Sequence, residues 1–302
     1  MEWLASLSEI HESRDYIIHS EFRRSANYSG AFSYWKRDFL FKSGTWGSEE
    51  VEPYFMSIRN SANLVIGESD YSFGEREFRL LKLLAKVRRV WAANFRGKFL
   101  SKSPIQPVPI GLTSPTGPSP LHALLGDASQ LAAVWSSVQQ GEIETNPKLY
   151  FNFSPSTSSR KRRAVIDVVK GLDPSTFVAK EPKFTSDGRI EYLRDIAAYR
   201  FNVCPEGNGM DTHRFWETLY LGGIPVVLRG SYQHRLGKYL SLPVMAIRAW
   251  RDLSDFESIK EEGAVLSSRL FDFTPLRLSF WANQFQGGSE QVFNTAPVAT
   301  ED

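Results

Sequence analysis

Residues 199–228 read YRFNVCPEGNGMDTHRFWETLYLGGIPVVL. Tyr199 to Cys204 reads as a strand, Thr212 to Leu221 carries Phe215 and Leu219 at helical spacing, and Ile224 to Leu228 is a second short, apolar, β-branched strand. Between the first strand and the helix lies Pro205-Glu-Gly-Asn-Gly-Met-Asp211, whose glycines admit positive φ and a close backbone approach by a ligand. Gly222 and Gly223 end the helix. A strand, glycine-rich loop, helix and strand in that order predict an α/β fold with a ligand at the carboxyl edge of its sheet.

The chemistry of the segment follows from its spacing. Asp211 is placed to cap the helix, so the free amides of the first turn begin where the loop ends and can receive an anion. His213 and Glu217 are four residues apart and Arg214 and Glu217 three apart, which puts the polar groups on one face and Phe215 with Leu219 behind it. The expectation is that Arg214 neutralises a diphosphate. Glu217, as a pure acceptor, would take two hydroxyls of a ribose, and Glu206 would do the same for a sugar. The blander alternatives are that Glu217 pairs along the helix and that His213 serves its own helical turn. A zinc role for His213 and Glu217 lacks a third ligand.

Working outward, Asp15–His19 and Asn63–Gly67 read as buried strands, Glu75–Val87 as a helix, and Val90–Ala93 as a further strand. Pro104–Pro120 is rich in proline, glycine and serine and reads as a loop, and Leu121–Gln140 as a helix. Lys148–Phe153 starts a second strand-led unit, followed by helices at Ser159–Lys170 and Ile190–Ala198. Ala264–Phe285 reads as a closing helix, and 287–302 as a disordered polar tail. The resulting division is two α/β domains, 1–145 and 146–286. Arg160-Lys-Arg-Arg163 is the strongest basic run. Arg160 and Arg163 share a face and are the candidates for a diphosphate, whereas Lys161 and Arg162 read as a solvated face.

The 204–227 segment resembles the exostosin-like glycosyltransferases, family 47, and more distantly the fucosyltransferases, through a glutamate-bearing helix, a small-residue turn and Ile224-Pro-Val-Val227. Glu68-Ser-Asp-Tyr71, Trp91-Ala-Ala-Asn94, Pro109-Ile-Gly111, and Asn152-Phe-Ser154 with Thr157, Arg160 and Arg163 extend the likeness over residues 68–228. The resemblance implies a GT-B architecture of two facing Rossmann-like domains. It implies a nucleotide-sugar donor, a UDP-sugar, on the C-terminal domain and a glycan acceptor on the N-terminal one. Inverting transfer without an essential metal or other cofactor is implied as well. The nucleotide-sugar site would then comprise Glu206, Gly207, Asn208, Gly209, Asp211, Thr212, His213, Arg214, Glu217, Arg160 and Arg163.

Inverting transfer needs a group that takes the acceptor proton, and Asp70, in a loop after an apolar strand, is the candidate, with Glu68 and Asp38 as alternatives. Asp70 can also simply start the next helix. A non-catalytic nucleotide- or glycan-binding module of the same fold is the other functional class.

With 36 basic and 34 acidic residues among 302, the charge is too balanced for a nucleic-acid binder, so any anion site is local. The single cysteine, Cys204, excludes an internal disulfide. Without a basic leader or a long apolar run, the chain is expected to be soluble and cytoplasmic, or peripheral on a membrane surface.

Overall fold

The structure, a computed structural model, describes residues 2–18, 32–34, 62–66, 70, 72–75, 78–79, 87–100, 103–115 and 120–285. Among them are two wholly parallel sheets with helices, a mixed α/β architecture. The first sheet has four strands in the order β1 (Phe32–Tyr34), β2 (Ala62–Ile66), β3 (Val87–Ala92) and β4 (Ile105–Pro107). Its apolar residues include Val65, Val90, Trp91 and Ile105, all buried, as parallel strands covered on both faces require.

The second sheet is built from β5 (Asn146–Phe151), β6 (Phe177–Ala179), β7 (Tyr199–Val203), β8 (Ile224–Leu228) and β9 (Met245–Ile247), in the spatial order β6-β5-β7-β8-β9. Its first strand, β5, is therefore flanked by the second and the third. The chain runs to one side of β5 and then to the other, so a crevice opens beyond the carboxyl ends of β5 and β7, where open α/β sheets place their ligands.

Helices α1 (Glu2–Ser13), α2 (Pro120–Leu125), α3 (Ala128–Gln139), α4 (Ser159–Val169), α5 (Ser186–Ala198), α6 (His213–Tyr220), α7 (Tyr232–Tyr239), α8 (Phe256–Ser268) and α9 (Leu278–Phe285), with two 3-10 turns at Trp250–Ser254 and Thr274–Leu276, complete the described elements. The first and last described helices are each tied to distant sequence. Trp3 of α1 meets Phe271 and Phe273 edge-on and donates its indole N–H to the Arg269 carbonyl at 3.0 Å. His11 stacks on Trp135 at 4.5 Å, and Tyr220 donates its hydroxyl to the Leu276 carbonyl at 2.6 Å. Phe285 of α9 meets Trp91 of β3 edge-on at 5.3 Å.

Several expectations need correction. The expected strand Asp15–His19, of which 15–18 are described, is not a ladder there: Tyr16 and Ile18 make isolated bridges, to Arg277 and Leu112. The stretch expected to be a single helix over 121–140 breaks at Gly126, and Asp127 caps α3 by accepting from the Ser129 amide. The stretch 264–285 is two helices separated by Arg269–Arg277. The 104–120 loop contains β4, whose Pro107 is tolerated because β4 lies at the sheet edge. The 75–87 helix falls largely outside the described residues, as does the 287–302 tail.

Candidate functional site

At the crevice between β5 and β7 lies a cavity of about 350 Å³. Its floor is Asn152, Phe153 and Ser154 after β5 together with Gly207, Asn208 and Gly209 after β7. One wall is the start of α6, another is Arg189 and Tyr192 of α5, and the far wall is Asp70, Ile110 and Thr113 following strands of the first sheet. Pro182, Lys183 and Phe184, after β6, form part of the rim.

The 205–212 loop is held to the first half of the chain by hydrogen bonds. The Asp211 amide donates to Asn94 Oδ1 at 2.8 Å, and the Asp211 carboxylate accepts from the Ile110 amide at 3.0 Å, from the Thr212 amide at 2.9 Å and from the Trp216 indole at 3.0 Å. Burial pushes the Asp211 pKa up to about 7, and those three donors oppose the shift. The expected cap of α6 is thus corrected: Thr212 occupies the cap position, without a side-chain cap bond, and Asp211 instead stitches loop, helix and the 108–111 turn together. Gly111, in the left-handed region at φ +61°, is required in that turn. A β-carbon there would lie 2.2 Å from the Ile17 carbonyl oxygen.

Charge in the cavity is unevenly compensated. Glu217 and Arg189 form an ion pair at 2.6 Å with both side chains 4% exposed, and Tyr192 donates its hydroxyl to the other Glu217 oxygen at 2.7 Å. Burial alone would raise the Glu217 pKa, but the adjacent Arg189 charge and its hydrogen bonds hold it below the usual carboxylate range. Arg214 is different. Its guanidinium lies over the Tyr192 ring at 5.0 Å and the Phe153 ring at 5.8 Å, yet among the described residues it has neither a carboxylate nor a hydrogen-bond acceptor, and Nη1 is buried without a partner. Arg162, whose guanidinium lies over the same Phe153 ring at 5.5 Å, donates among the described residues only to the carbonyls of Ser154 at 3.1 Å and Glu206 at 3.4 Å. Burial, and then the like charge of Arg214, push the Arg162 pKa down to about 10, so Arg162 remains cationic at neutral pH. Two desolvated guanidinium groups around one aromatic ring create a site that an anion with several oxygens would neutralise.

His213 is held by its ring: Nδ1 lies 2.8 Å from the Gly111 carbonyl oxygen, which can only accept, so Nδ1 carries the proton. Burial lowers the His213 pKa, partly offset by that hydrogen bond and by the charge of Glu217. Of the other residues singled out in the sequence, Asp70, Gly207, Asn208, Gly209, Asp211 and Thr212 also line this cavity. Glu206 and Arg160 do not. They line a second cavity of about 560 Å³ behind the loop, where Lys161 donates to Glu206 at 2.7 Å. Arg163 is exposed and lines neither. Asp38 and Glu68 lie outside the described residues.

Arg162, Arg189 and Tyr192 went unrecognised in the sequence. Arg162 had a usable signal, because Val165, Ile166 and Val169 sit three, four and seven residues further on, which puts Arg162 and not Arg160 on the inward stripe of α4. Arg189 had none, since its partner lies 28 residues away on another helix. Among the described residues no group of three or more His, Cys, Asp or Glu side chains is placed to hold a metal ion, and no helix is long and apolar enough to cross a membrane. No family model matches the chain, and no curated protein matches it at a significant level.

Proposed function

We propose that the chain is a glycosyltransferase that moves a sugar from a nucleotide-sugar, a UDP-sugar, to a hydroxyl of a glycan acceptor, with inversion at the anomeric carbon. The observation that carries this reading is Arg214, a cation in the cavity with no acceptor for its N–H groups among the described residues, facing a second under-compensated cation, Arg162. A diphosphate supplies what both lack. As the glycosidic bond breaks, negative charge grows on the departing phosphate oxygen, and fixed guanidinium donors in a partly water-excluded cavity stabilise that charge more than they stabilise the intact donor.

The position of the cavity supports the reading independently. It lies at the switch point of the second sheet, where a mononucleotide is expected, and its far wall comes from the first-sheet half, where an acceptor would enter. The crossing of α9 back to Trp91 is in keeping with two facing units, the GT-B arrangement, divided near residue 145. In this reading Gly207 to Gly209 let the loop backbone approach the donor. Glu217 acts chiefly by holding Arg189 and Tyr192 in place beside the ribose and base. Asp70 stands at the acceptor side.

The test is incubation with a panel of nucleotide-sugars and simple glycan acceptors, measuring nucleotide release and sugar transfer. Transfer with one donor, abolished in Arg214→Met, is the expected result. Tight nucleotide binding without turnover for any acceptor would assign the chain to non-catalytic binding proteins instead.

A further inference from the structure

The group that removes the acceptor proton can be sought among the residues that line the same cavity. A base must present a lone pair to the cavity and must be neutral or anionic before the reaction. The five N–H groups of Arg214 and those of Arg162 only donate. The Glu217 oxygens face Arg189 and Tyr192, and the Asp211 carboxylate faces three N–H donors within the wall. Lys183 is an ammonium paired with Glu191 at 2.8 Å, so among the lining carboxylates, amines and imidazoles two remain, Asp70 and His213.

His213 has the more fixed geometry. Because the Gly111 carbonyl holds the proton on Nδ1, the lone pair is on Nε2, and no described residue hydrogen-bonds to Nε2. The ring belongs to the first turn of α6, beside Arg214, and so adjoins the proposed diphosphate position. Its anchor, Gly111, comes from the acceptor side of the cavity. A proton arriving on Nε2 would make an imidazolium whose Nδ1–H already donates to a carbonyl. Glu217 and Asp70 would favour that charge and Arg189 would oppose it.

Resting on the glycosyltransferase reading, we infer that His213 is a catalytic residue, the base whose Nε2 takes the proton from the attacking acceptor hydroxyl. In the step, the acceptor oxygen bonds to the anomeric carbon and its proton passes to Nε2. The bond from that carbon to the phosphate oxygen breaks, and its electron pair leaves with the nucleotide diphosphate beside Arg162 and Arg214. The proton later returns to water, and no other reactant is needed.

His213→Asn is the discriminating variant, because the asparagine Nδ2 stands where Nδ1 stood and can still donate to Gly111. Transfer kcat is expected to fall at least about 100-fold, with UDP affinity within about threefold of wild type and an unchanged urea midpoint. The low-pH limb of the kcat/KM profile should vanish in His213→Asn and shift to lower pH, without vanishing, in Asp70→Asn, which removes a charge that favours the protonated ring. Wild-type kcat in His213→Asn, a loss confined to UDP binding, or a low-pH limb that survives there but disappears in Asp70→Asn would each overturn the assignment. Absence of both UDP binding and transfer in the wild-type protein would overturn the underlying reading together with it, and is distinguishable because it needs no variant.

Discussion

The buried pair of Arg189 and Glu217 separates two views of the helix-borne glutamate. In the structure the Glu217 side chain is 4% exposed, accepts from Arg189 at 2.6 Å and from Tyr192 at 2.7 Å, and so compensates the guanidinium of an equally buried side chain that also donates to the Leu125 carbonyl at 3.0 Å. Glu217→Gln keeps the shape and the capacity to meet both neighbours, since the amide oxygen can face Arg189 while the amide nitrogen donates to the Tyr192 hydroxyl. What it removes is the charge. Leaving a buried cation uncompensated costs about 3–5 kcal/mol, whereas removing both charges in Arg189→Met with Glu217→Gln should restore all but about 1–2 kcal/mol of that. Urea unfolding of the two single variants and the double variant, followed by tryptophan fluorescence, closes the cycle. The expected coupling is at least about 2 kcal/mol in favour of the pair. If Glu217→Gln unfolds at the wild-type midpoint and loses only UDP affinity, then Glu217 is a direct ribose ligand and the structural role argued for it is wrong.

Other variants test the joints around the cavity. Asp211→Asn replaces two acceptor oxygens by one and sets an amide donor against the N–H groups of Ile110, Thr212 or Trp216; the expected loss is about 1–3 kcal/mol in chemical denaturation, and an unchanged midpoint would refute the stitching role. Gly111→Ala combines a left-handed backbone with a clash against Ile17 and should cost about 2 kcal/mol or more, read in the same assay. His11 donates from Nε2 to the Tyr220 carbonyl and accepts from the Tyr16 hydroxyl at Nδ1, and burial lowers its pKa from 6.5 to about 4. A depressed histidine pKa means the unfolded chain binds the proton more readily, so this contribution is complete above about pH 6.5 and falls by about 3 kcal/mol as the pH drops toward 4. Asp211, raised from 3.8 to about 7, has the opposite sign: stability falls as pH rises through that range. Consequently His11→Gln should tilt the stability profile toward acid and Asp211→Asn toward neutrality. Two variant profiles parallel to wild type between pH 4 and 7 would contradict both assignments.

Local signals carried the central unit of the fold. β7, the glycine loop, α6 and β8 lie within 30 consecutive residues, where apolar period and glycine placement are decided by nearest neighbours, and the structure shows them nearly as read. Reading failed where the deciding contact was distant. Tyr16 and Ile18 have strand-like composition, but their backbone partners are single residues, Arg277 and Leu112, and not a ladder. Glu217 was legible as an important polar group on α6, but that its charge is met by Arg189 depends on the crossing of α5 and α6. The basic run at 160–163 shows the same boundary. Its existence was plain, while the choice of Arg162 for the cavity followed from the inward phase of α4, set by Val165, Ile166 and Val169 further along the helix.

The proposed function requires that a nucleotide diphosphate complete the coordination of Arg162 and Arg214. Calorimetric titration of UDP into the wild-type protein and into Arg214→Met tests it most directly, because the Arg214 guanidinium makes no protein hydrogen bond among the described residues and its removal leaves no protein group orphaned. Loss of charge-assisted hydrogen bonds worth about 1.5–3 kcal/mol predicts UDP binding roughly 10- to 100-fold weaker in the variant, with the unfolding midpoint unchanged or raised. Equal UDP affinity in the two proteins, or no UDP binding by the wild type, would contradict the account.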